Sequence, residues 1–568
     1  MENALRLAMF GKINISSQLD EGYRIGIRKH NEEVDKNRHI LSKIIDCVKF
    51  CGAFELALRG HDESEGSENP GVFRGLVDFV ASLDTVLHEH LQTATVFKGT
   101  SKTVQNELLD CMLSVLRECI VGEIRSADFV SIQADETMDI STQCQLVLVT
   151  RYIDKAHDVQ ERFFEFIPLQ RATADSIATA LLDRLSSILP DDQKSKLISQ
   201  AYDGASVMRG ATGGVQKKVQ DVYVNAHYVH CYAHQLNLIM QQVTSHIPKV
   251  SNFFSDLAGF SGFFSRSPKR TSVLDRVVAH RLPRASTGWN FHSRAVNTVF
   301  EHKEDLLQCF ETIRDSGEFD PTTVREAGGQ LQIRTIDSVF VQGIMQQFTD
   351  NIQKIRDSLP TLCGGHSGSV SQLAKKRRIL GPGDLQRVVT EVCDTILGHA
   401  EHRFAFTKHL ISATLLQADR FQQYHSQFPE AALNTTMEAY PLLNKNKLKT
   451  ELALIYSNDE FKSCSGAVAL YHLFMGNNLQ DTFSETVALL KIIIITTPMT
   501  TAESERCFST LKRIKTFLRN TMSQDRLNAL AMLSMEKKLV KTIPDFNHRV
   551  IEKFASLKDR RAKFMYKK

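Results

Sequence analysis

Three acidic residues that lie far apart in the sequence could together bind divalent cations. Asp135 follows the strand-like run FVSIQA and Asp203 follows LISQAY, so each is predicted at the carboxyl end of a strand. Ligands of α/β sheets bind at those ends. Two carboxylates there can share Mg²⁺ or Mn²⁺, and a pair of such ions supports phosphoryl transfer. Both residues could instead be ordinary turn formers, because Gly204 follows Asp203 and Glu136 follows Asp135.

A third carboxylate would complete such a site, and the segment TTPMTTAESERCFSTLKRIKTFLRNTM, residues 496–522, offers two glutamates. Thr500 and Glu503 match a capping box, in which the glutamate binds the backbone of the N-cap residue. Glu505 lies about 200° further around the helix and has no such local role. We therefore predict that Glu505 joins Asp135 and Asp203 as a catalytic metal ligand.

Hydrophobic periodicity divides the chain into four regions that must position these acids. They are a helical region at 1–125, an α/β region at 126–243, a mostly helical region at 244–475, and a C-terminal helical region with a basic tail at 476–568. Within the α/β region, strand-like runs at 128–135, 144–153 and 159–169 precede a helix and a further strand. That order indicates an α/β sheet with a meander at one end, so the fold class is α/β plus α.

Composition limits the classes of protein that this chain can be. Its 568 residues exceed one core, and 42% hydrophobic with 24% charged residues is typical of globular domains. The net charge of +4 means that any nucleic-acid surface must be a local patch. Eleven cysteines without a CxxC pair argue against a disulfide framework and a zinc finger, and favour a reducing compartment. No apolar run reaches 18 residues, so we expect no membrane association.

Basic residues are concentrated at two places. On the helix that carries Glu505 they form one face, which consists of Lys512, Arg513, Lys515 and Arg519. Apolar residues form another face of the same predicted helix, which consists of Phe508, Leu511, Ile514 and Leu518. The basic face could contact a DNA phosphate backbone, although a solvated face is the alternative. The second group, at 375–378, is either a solvated linker or a nuclear import signal.

The chain resembles hAT-superfamily transposases, and most of all the branch of the transposase-derived zinc finger MYM-type proteins. The motifs are SIQADET, SQAYDGASVM, HCYAHQLNL and PMTTAESERCFSTLKRIKTFLRNTMSQDRLNALAMLSME. ALRGHDESEGSENPGVFRGLVDF also resembles that branch, so the resemblance covers roughly residues 1–545. It implies an RNase H-like catalytic core that is interrupted by a large all-helical insertion. It also implies a helical N-terminal region and a C-terminal helical dimerisation region.

The resemblance also implies a chemistry. Asp135, Asp203 and Glu505 match the family's catalytic triad, which uses Mg²⁺ or Mn²⁺ and no small-molecule cofactor. Family members cleave DNA through a hairpin intermediate on the flanking DNA and join transposon ends to a target. Cys231 and His234 match the family's C-x-x-H motif beside the active site, where the histidine would contact the scissile phosphate region. The alternatives for this pair are a core thiol with a core imidazole, or zinc ligands together with His230.

Trp289 is the only tryptophan, and it matches the insertion-domain residue that stacks on a flipped base during hairpin formation. A packed core indole is the alternative. Gly288 stands where relatives usually have arginine. The sequence also lacks the C-x₂-C…H-x₃₋₅-H pattern of the zinc-binding module with which relatives recognise transposon ends.

Two functions follow from these observations. The first is a DDE-type transposase, or a derivative that still cleaves and transfers DNA strands in a metal-dependent reaction. The second is a domesticated, catalytically silent nuclear protein that dimerises and binds DNA or chromatin. For both we expect DNA and a second copy of the chain as partners, and the nucleus as the location.

Overall fold

A computed structural model describes residues 15–60, 62–63, 66–230, 255, 262–277, 302–332, 408–464, 466–496 and 502–567. The chain divides into two compact units. The first unit comprises Met1–Val229 and Ile494–Lys568, and the second comprises His230–Ile493. The first unit therefore combines segments from both ends of the chain.

The first unit begins with four helices, α1 to α4. Their bounds are Ile15–Ala53, Val72–Leu83, Thr85–Thr93 and Lys102–Ser126. Apolar residues recur every three or four positions along α1 and α4, and these residues are buried in one hydrophobic cluster. Side chains cap the starts of α3 and α4, since Asp84 accepts a hydrogen bond from Leu87 N at 2.9 Å and Ser101 Oγ accepts one from Val104 N at 3.3 Å.

A five-stranded sheet follows, with the order β3-β2-β1-β4-β5. The strands β1 to β5 are Val130–Met138, Cys144–Ile153, Val159–Leu169, Leu197–Tyr202 and His227–His230. β2 pairs antiparallel with β1 and with β3, whereas β4 pairs parallel with β1. The helix α5, Ala174–Ile188, connects β3 to β4, and α6 and α7, Ser206–Arg209 and Val215–Val222, precede β5. The predicted mixed α/β sheet is confirmed.

The first strand is longer than the sequence predicted. β1 continues to Met138, so Asp135 does not lie at its end. The reason is the β1–β2 hairpin, in which Asp135 pairs with Val147 and Met138 with Cys144. The parallel pairing with β4 extends only from Val130 to Gln133. Asp135 therefore lies on β1 at a level where the neighbouring strand β4 has already ended.

The second unit is helical over its described residues. Its helices α8 to α16 are Pro268–Val277, Lys303–Asp315, Pro321–Gln332, Lys408–Thr414, Phe421–Ser426, Glu430–Ala439, Lys445–Ser457, Ala467–Gly476 and Ser484–Thr496, the last of which extends into the first unit. Aromatic pairs stabilise this unit, and one of them joins Phe264 to Phe310 with ring centroids 5.1 Å apart. None of the described helices in the chain is long and apolar enough to cross a bilayer.

Four C-terminal helices complete the core of the first unit. They are α17, α18, α19 and α20, with bounds Ala502–Ile514, Gln524–Met535, Lys537–Thr542 and Phe546–Ser556. α17 packs on β1 and β2, α18 packs on β3 and α4, and α20 packs on α1 and α4. Three of the four predicted regions thus contribute to one core, because each offers an apolar surface that only the others cover.

Polar side chains of α18 and its C-terminal end cover β3, the edge strand of the sheet. Asn528 accepts a hydrogen bond from Phe166 N at 2.8 Å and donates one to Phe166 O at 3.1 Å. Glu536 accepts a hydrogen bond from Phe163 N at 2.8 Å. Edge strands expose backbone groups that must be paired or covered. These two buried side chains therefore fix α18 in register against the sheet.

Candidate functional site

The structure brings Asp135, Asp203 and Glu505 together at one end of the parallel β1–β4 pair. Gln133 is paired with Ala201, so continuing this register by two residues puts Asp135 opposite Asp203. Glu505 lies in the first turn of α17, which packs on β1 and β2. Asp135 and Asp203 are half-buried, whereas Glu505 is exposed. The three carboxylates therefore converge although 68 residues separate Asp135 from Asp203 and 302 residues separate Asp203 from Glu505.

The electrostatics of Asp135 show this convergence. Burial raises its pKa, a hydrogen bond from Glu136 N at 2.8 Å lowers it, and the carboxylates of Asp203, Glu136 and Glu505 raise it further, to about 7 in total. Like charges disfavour the ionised form of a carboxyl group. Negative charge is thus concentrated around Asp135.

Glu136 is the member of this cluster that the sequence prediction missed. Burial and the carboxylate of Asp203 raise its pKa above the usual value. In the sequence, the indication of Glu136 was its position directly after Asp135. Side chains alternate between the two faces of a strand, so adjacency alone did not predict that both acids belong to one cluster. Its contribution is electrostatic, since it strengthens the negative potential at the end of β4.

Hydrogen bonds within turns explain only some of the polar contacts of these acids. Asp203 Oδ1 accepts a hydrogen bond from Ala205 N at 3.2 Å, as expected of an aspartate in a turn. Asp203 O accepts a hydrogen bond from the Tyr228 hydroxyl at 3.0 Å. Within the described part of the chain, the Oδ2 atoms of Asp135 and Asp203 accept no hydrogen bond. The hydrogen bonds to these two side chains therefore go to their Oδ1 atoms.

The donor set fits a hard divalent cation, because it consists of carboxylate oxygens with excess negative charge. Among the described residues, however, no three Cys, His, Asp or Glu side chains are arranged as a metal centre. Carboxylates repel one another when no cation lies between them. The acids are thus near enough to interact electrostatically, but they are not in coordination geometry.

An internal ion pair connects the strand of Asp135 to the helix of Glu505. Lys515 Nζ lies 2.5 Å from Asp139 Oδ2, with 7% of the lysine side chain and none of the aspartate side chain exposed. Burial would raise the pKa of Asp139, but hydrogen bonds from Lys515, Ser141, Gln145 and the backbone of Gln143 lower it to about 2. The structure thus corrects the prediction for Lys515, whose charge is used inside the protein and is not presented to DNA.

The other predicted basic residues are also divided between roles. Arg513 donates to both carboxylate oxygens of Glu55, at 2.5 and 2.9 Å. Arg519 donates to the carbonyl oxygens of Glu55 and Arg513, at 3.0 and 2.6 Å. Lys512 is exposed. The four residues therefore do not form one continuous basic helix face, and the prediction that they contact DNA stays a prediction for Lys512, Arg513 and Arg519.

The predicted apolar face of α17 also ends earlier than expected. Leu511 and Ile514 are buried and Phe508 is half-buried, but α17 stops at Ile514. Leu518 lies in a separate 3₁₀ turn, Phe517–Arg519, and is 90% exposed. Its neighbour Phe517 is 80% exposed. These two side chains therefore form an apolar protrusion, named the 517–518 turn below.

Some predicted residues lie outside the part of the chain that the structure describes. They are Cys231, His234, Gly288, Trp289, the basic group at 375–378 and Thr500. Glu503, the proposed capping partner of Thr500, is buried and forms an ion pair with Arg506 at 2.7 Å. It faces away from the solvent-exposed Glu505, as their spacing on the helix predicted.

Comparison with known proteins gives two family matches to segments of the chain and several relatives that align with most of it. Residues 15–214 match the model of the ZMYM1/FAM200 RNase-like domain, and residues 480–539 match the hAT family C-terminal dimerisation region. The human "52 kDa repressor of the inhibitor of the protein kinase" is 23% identical over 573 residues, which cover 89% of this chain and 75% of that protein. The mouse protein of the same name is 23% identical over 574 residues, with the same coverage of 89% and 75%.

The two matched segments contain the elements that carry the acids. The RNase-like domain includes β1, β4 and the residues Asp135 and Asp203, and the dimerisation region includes α17 with Glu505. The resemblance to hAT transposases that the sequence predicted is confirmed by both segments, the RNase-like domain and the C-terminal dimerisation region.

Proposed function

We propose that this chain is a hAT-type DDE transposase, or a close derivative, which cleaves and transfers DNA strands in a metal-dependent reaction. The observation that carries the proposal is the meeting of Asp135, Asp203 and Glu505 at one end of the β1–β4 pair. Three carboxylates from distant segments are costly to hold together, because their mutual repulsion opposes folding. A ligand of opposite charge is the simplest reason for such an arrangement.

The sheet supports a further part of this proposal, an RNase H-like core. Three antiparallel strands form a meander and the parallel strand β4 lies next to β1, so Asp135 on β1 is close to Asp203, the residue directly after β4. In this proposal the second, helical unit is the insertion that separates these strands from α17. The term RNase H-like comes from the resemblance to hAT transposases, and the strand order of the sheet supports its use in this proposal.

Asp135, Asp203 and Glu505 are the proposed ligands of Mg²⁺ or Mn²⁺. Bound there, divalent cations would stabilise the attacking and leaving oxygens of phosphoryl transfer. The protein would hold these ligands through the hairpin of β1 and the buried Asp139–Lys515 pair, which fixes the end of α17. Cys231 and His234 remain proposed catalytic residues on the resemblance alone, and Trp289 remains a proposed base-stacking residue.

The test is cleavage of supercoiled plasmid DNA by the purified chain with Mn²⁺, compared with Glu505→Gln and Asp135→Asn. We expect nicking by the wild-type chain and loss of nicking in both variants, which keep the side-chain shape and remove the charge. Glu32→Gln is the matched control, because Glu32 is an exposed acid on α1. Equal nicking by wild type and Glu505→Gln would point to a contaminating nuclease and refute the proposal.

A second candidate function is a catalytically silent nuclear protein that binds DNA or chromatin. It is favoured by the two relatives that are named as repressors and that align with 89% of this chain. This candidate predicts DNA binding and self-association without nicking in Mg²⁺ or Mn²⁺. In both candidates we propose a nuclear location, with DNA and a second copy of the chain as partners.

A further inference from the structure

A groove of about 490 Å³ lies between the end of α1, the start of α4 and the start of α18. Three arginines line it: Arg59, Arg519 and Arg526. The first comes from the matched RNase-like domain and the other two come from the dimerisation region. The groove is in the first unit, and the acidic residues around Asp135 are not among its lining residues.

The three guanidinium groups have only neutral hydrogen-bond acceptors. Arg59 and Arg526 both donate to Asn106 Oδ1, at 2.9 and 3.0 Å. Arg59 also donates to Lys102 O at 3.2 Å, and Arg519 donates to backbone carbonyls only. Within the described residues, none of these arginines forms an ion pair. Because Arg59 and Arg526 share the single side-chain oxygen of Asn106, both guanidinium groups retain N–H donors that can bind one common anion.

Two carboxylates near the groove also contact cations outside its lining. Glu55 binds Arg513, and Glu63 lies 3.6 Å from Lys102. Burial, together with the charges of Arg59 and Arg519, lowers the pKa of Arg526 to about 10, and Glu63 only partly opposes this shift. Arg526 still carries its charge at neutral pH. The groove therefore keeps a net positive charge, because the Glu63 carboxylate only partly offsets its three arginines.

We propose that this groove binds phosphate groups of a nucleic-acid strand. Arginine forks match phosphate oxygens in geometry as well as in charge, and a half-buried site strengthens the attraction. The 517–518 turn stands at the rim, since Leu518 lines the groove, and its exposed apolar side chains would contact a sugar or base. This inference rests on the proposed function only in assigning the phosphates to DNA.

The experiment measures binding of a fluorescein-labelled 20-nucleotide strand, and of its duplex, to the full chain by fluorescence anisotropy in EDTA. The variants are Arg59→Gln with Arg526→Gln, and Arg526→Lys alone. Lys155→Gln is the control that removes an exposed charge elsewhere. Lys155 lies in the β2–β3 turn, and β3 runs antiparallel to α18, since Phe166 meets Asn528 and Phe163 meets Glu536. The β2–β3 turn is therefore at the opposite end of α18 from the groove.

We expect the double variant to bind at least about tenfold more weakly, with the slope of log K against log salt reduced by about one per lost phosphate contact. Arg526→Lys should bind more weakly than the wild type and more tightly than the double variant, because it keeps the charge and loses the fork. Lys155→Gln should match the wild type. Thermal unfolding checks that the double variant is folded, and we expect no loss of stability because like charges are removed. Unchanged affinity in the folded double variant would overturn the proposal.

Two further outcomes separate this inference from the proposed function. If Asp135→Asn abolishes nicking while groove-dependent DNA binding persists, the groove is supported whatever the chemistry of the acids. Inorganic phosphate is tested in parallel for its effect on the melting temperature. If phosphate stabilises the wild type but not the double variant, and neither oligonucleotide binds the wild type, the assignment to nucleic acid is overturned.

Discussion

Replacing Lys515 by methionine tests whether the buried Asp139–Lys515 pair holds the helix of Glu505 on the strand of Asp135. The substitution leaves the Asp139 carboxylate buried with only the hydrogen bonds from Ser141, Gln143 and Gln145. The pKa of Asp139 is lowered from 3.8 to about 2, which corresponds to about 2.5 kcal/mol at 1.36 kcal/mol per pKa unit. Removing one partner of a buried pair costs about 3–5 kcal/mol. We therefore expect Lys515→Met to lower the free energy of unfolding by about 3 kcal/mol, near the lower limit of this range.

The assay is thermal and urea unfolding of the full chain, followed by far-ultraviolet circular dichroism. Lys512→Met is the matched control, because Lys512 is an exposed lysine in the last turn of α17, three residues before Lys515. Because ionised Asp139 is favoured in the folded state, the contribution of the pair is present above pH 4 and is lost as the pH falls towards 2. The deficit of Lys515→Met, meaning its loss of unfolding free energy relative to the wild type, should therefore be constant from pH 5 to 8 and should become smaller below pH 4. A deficit that equals that of Lys512→Met, or that does not change with pH, would refute this reasoning.

Three further predictions follow from the described contacts. Asp135→Asn in EDTA should stabilise the fold at pH 8 by up to about 4 kcal/mol, because the pKa of Asp135 is raised from 3.8 to about 7, so the cost of ionisation grows between these two pH values and is complete above pH 7; melting temperatures at pH 8 and pH 4 check this, and Mn²⁺ should stabilise the wild type more than the variant. Phe517→Ser with Leu518→Ser should weaken binding of the labelled strand at least about tenfold without lowering stability, since each exposed side chain would contribute about 1.5–3 kcal/mol when a sugar or base buries it; fluorescence anisotropy measures the affinity, and an unchanged affinity would exclude this turn from the binding surface. Asn528→Leu should cost about 1–3 kcal/mol in urea unfolding, because it leaves Phe166 N without its side-chain acceptor at the edge of the sheet, whereas Phe166 O keeps the hydrogen bond from Gln524 at 2.8 Å; a loss well below 1 kcal/mol would show that Phe166 N is satisfied in another way.

Sequence patterns predicted most of the local structure and the acids themselves. Runs of β-branched and aromatic residues gave β1 to β4, and three- and four-residue periodicity gave the helices, because these patterns reflect side-chain direction along a single element. The three acids were singled out by their positions relative to those elements. The end of β1 was missed because hairpin pairing with β2, which depends on another segment, carries the strand past Asp135 to Met138.

Only the tertiary structure decided which charges remain exposed. Lys512, Arg513, Lys515 and Arg519 are equivalent as a basic run in the sequence, yet Lys515 is buried on Asp139 and Arg513 is bound by Glu55. Their partners lie more than 370 residues away. A charge pattern in the sequence therefore indicates how many basic residues a segment has. The burial and the ion-pair partner of each of these residues depend on the surface against which the segment packs. The same reason explains why the groove of Arg59, Arg519 and Arg526 was invisible in the sequence.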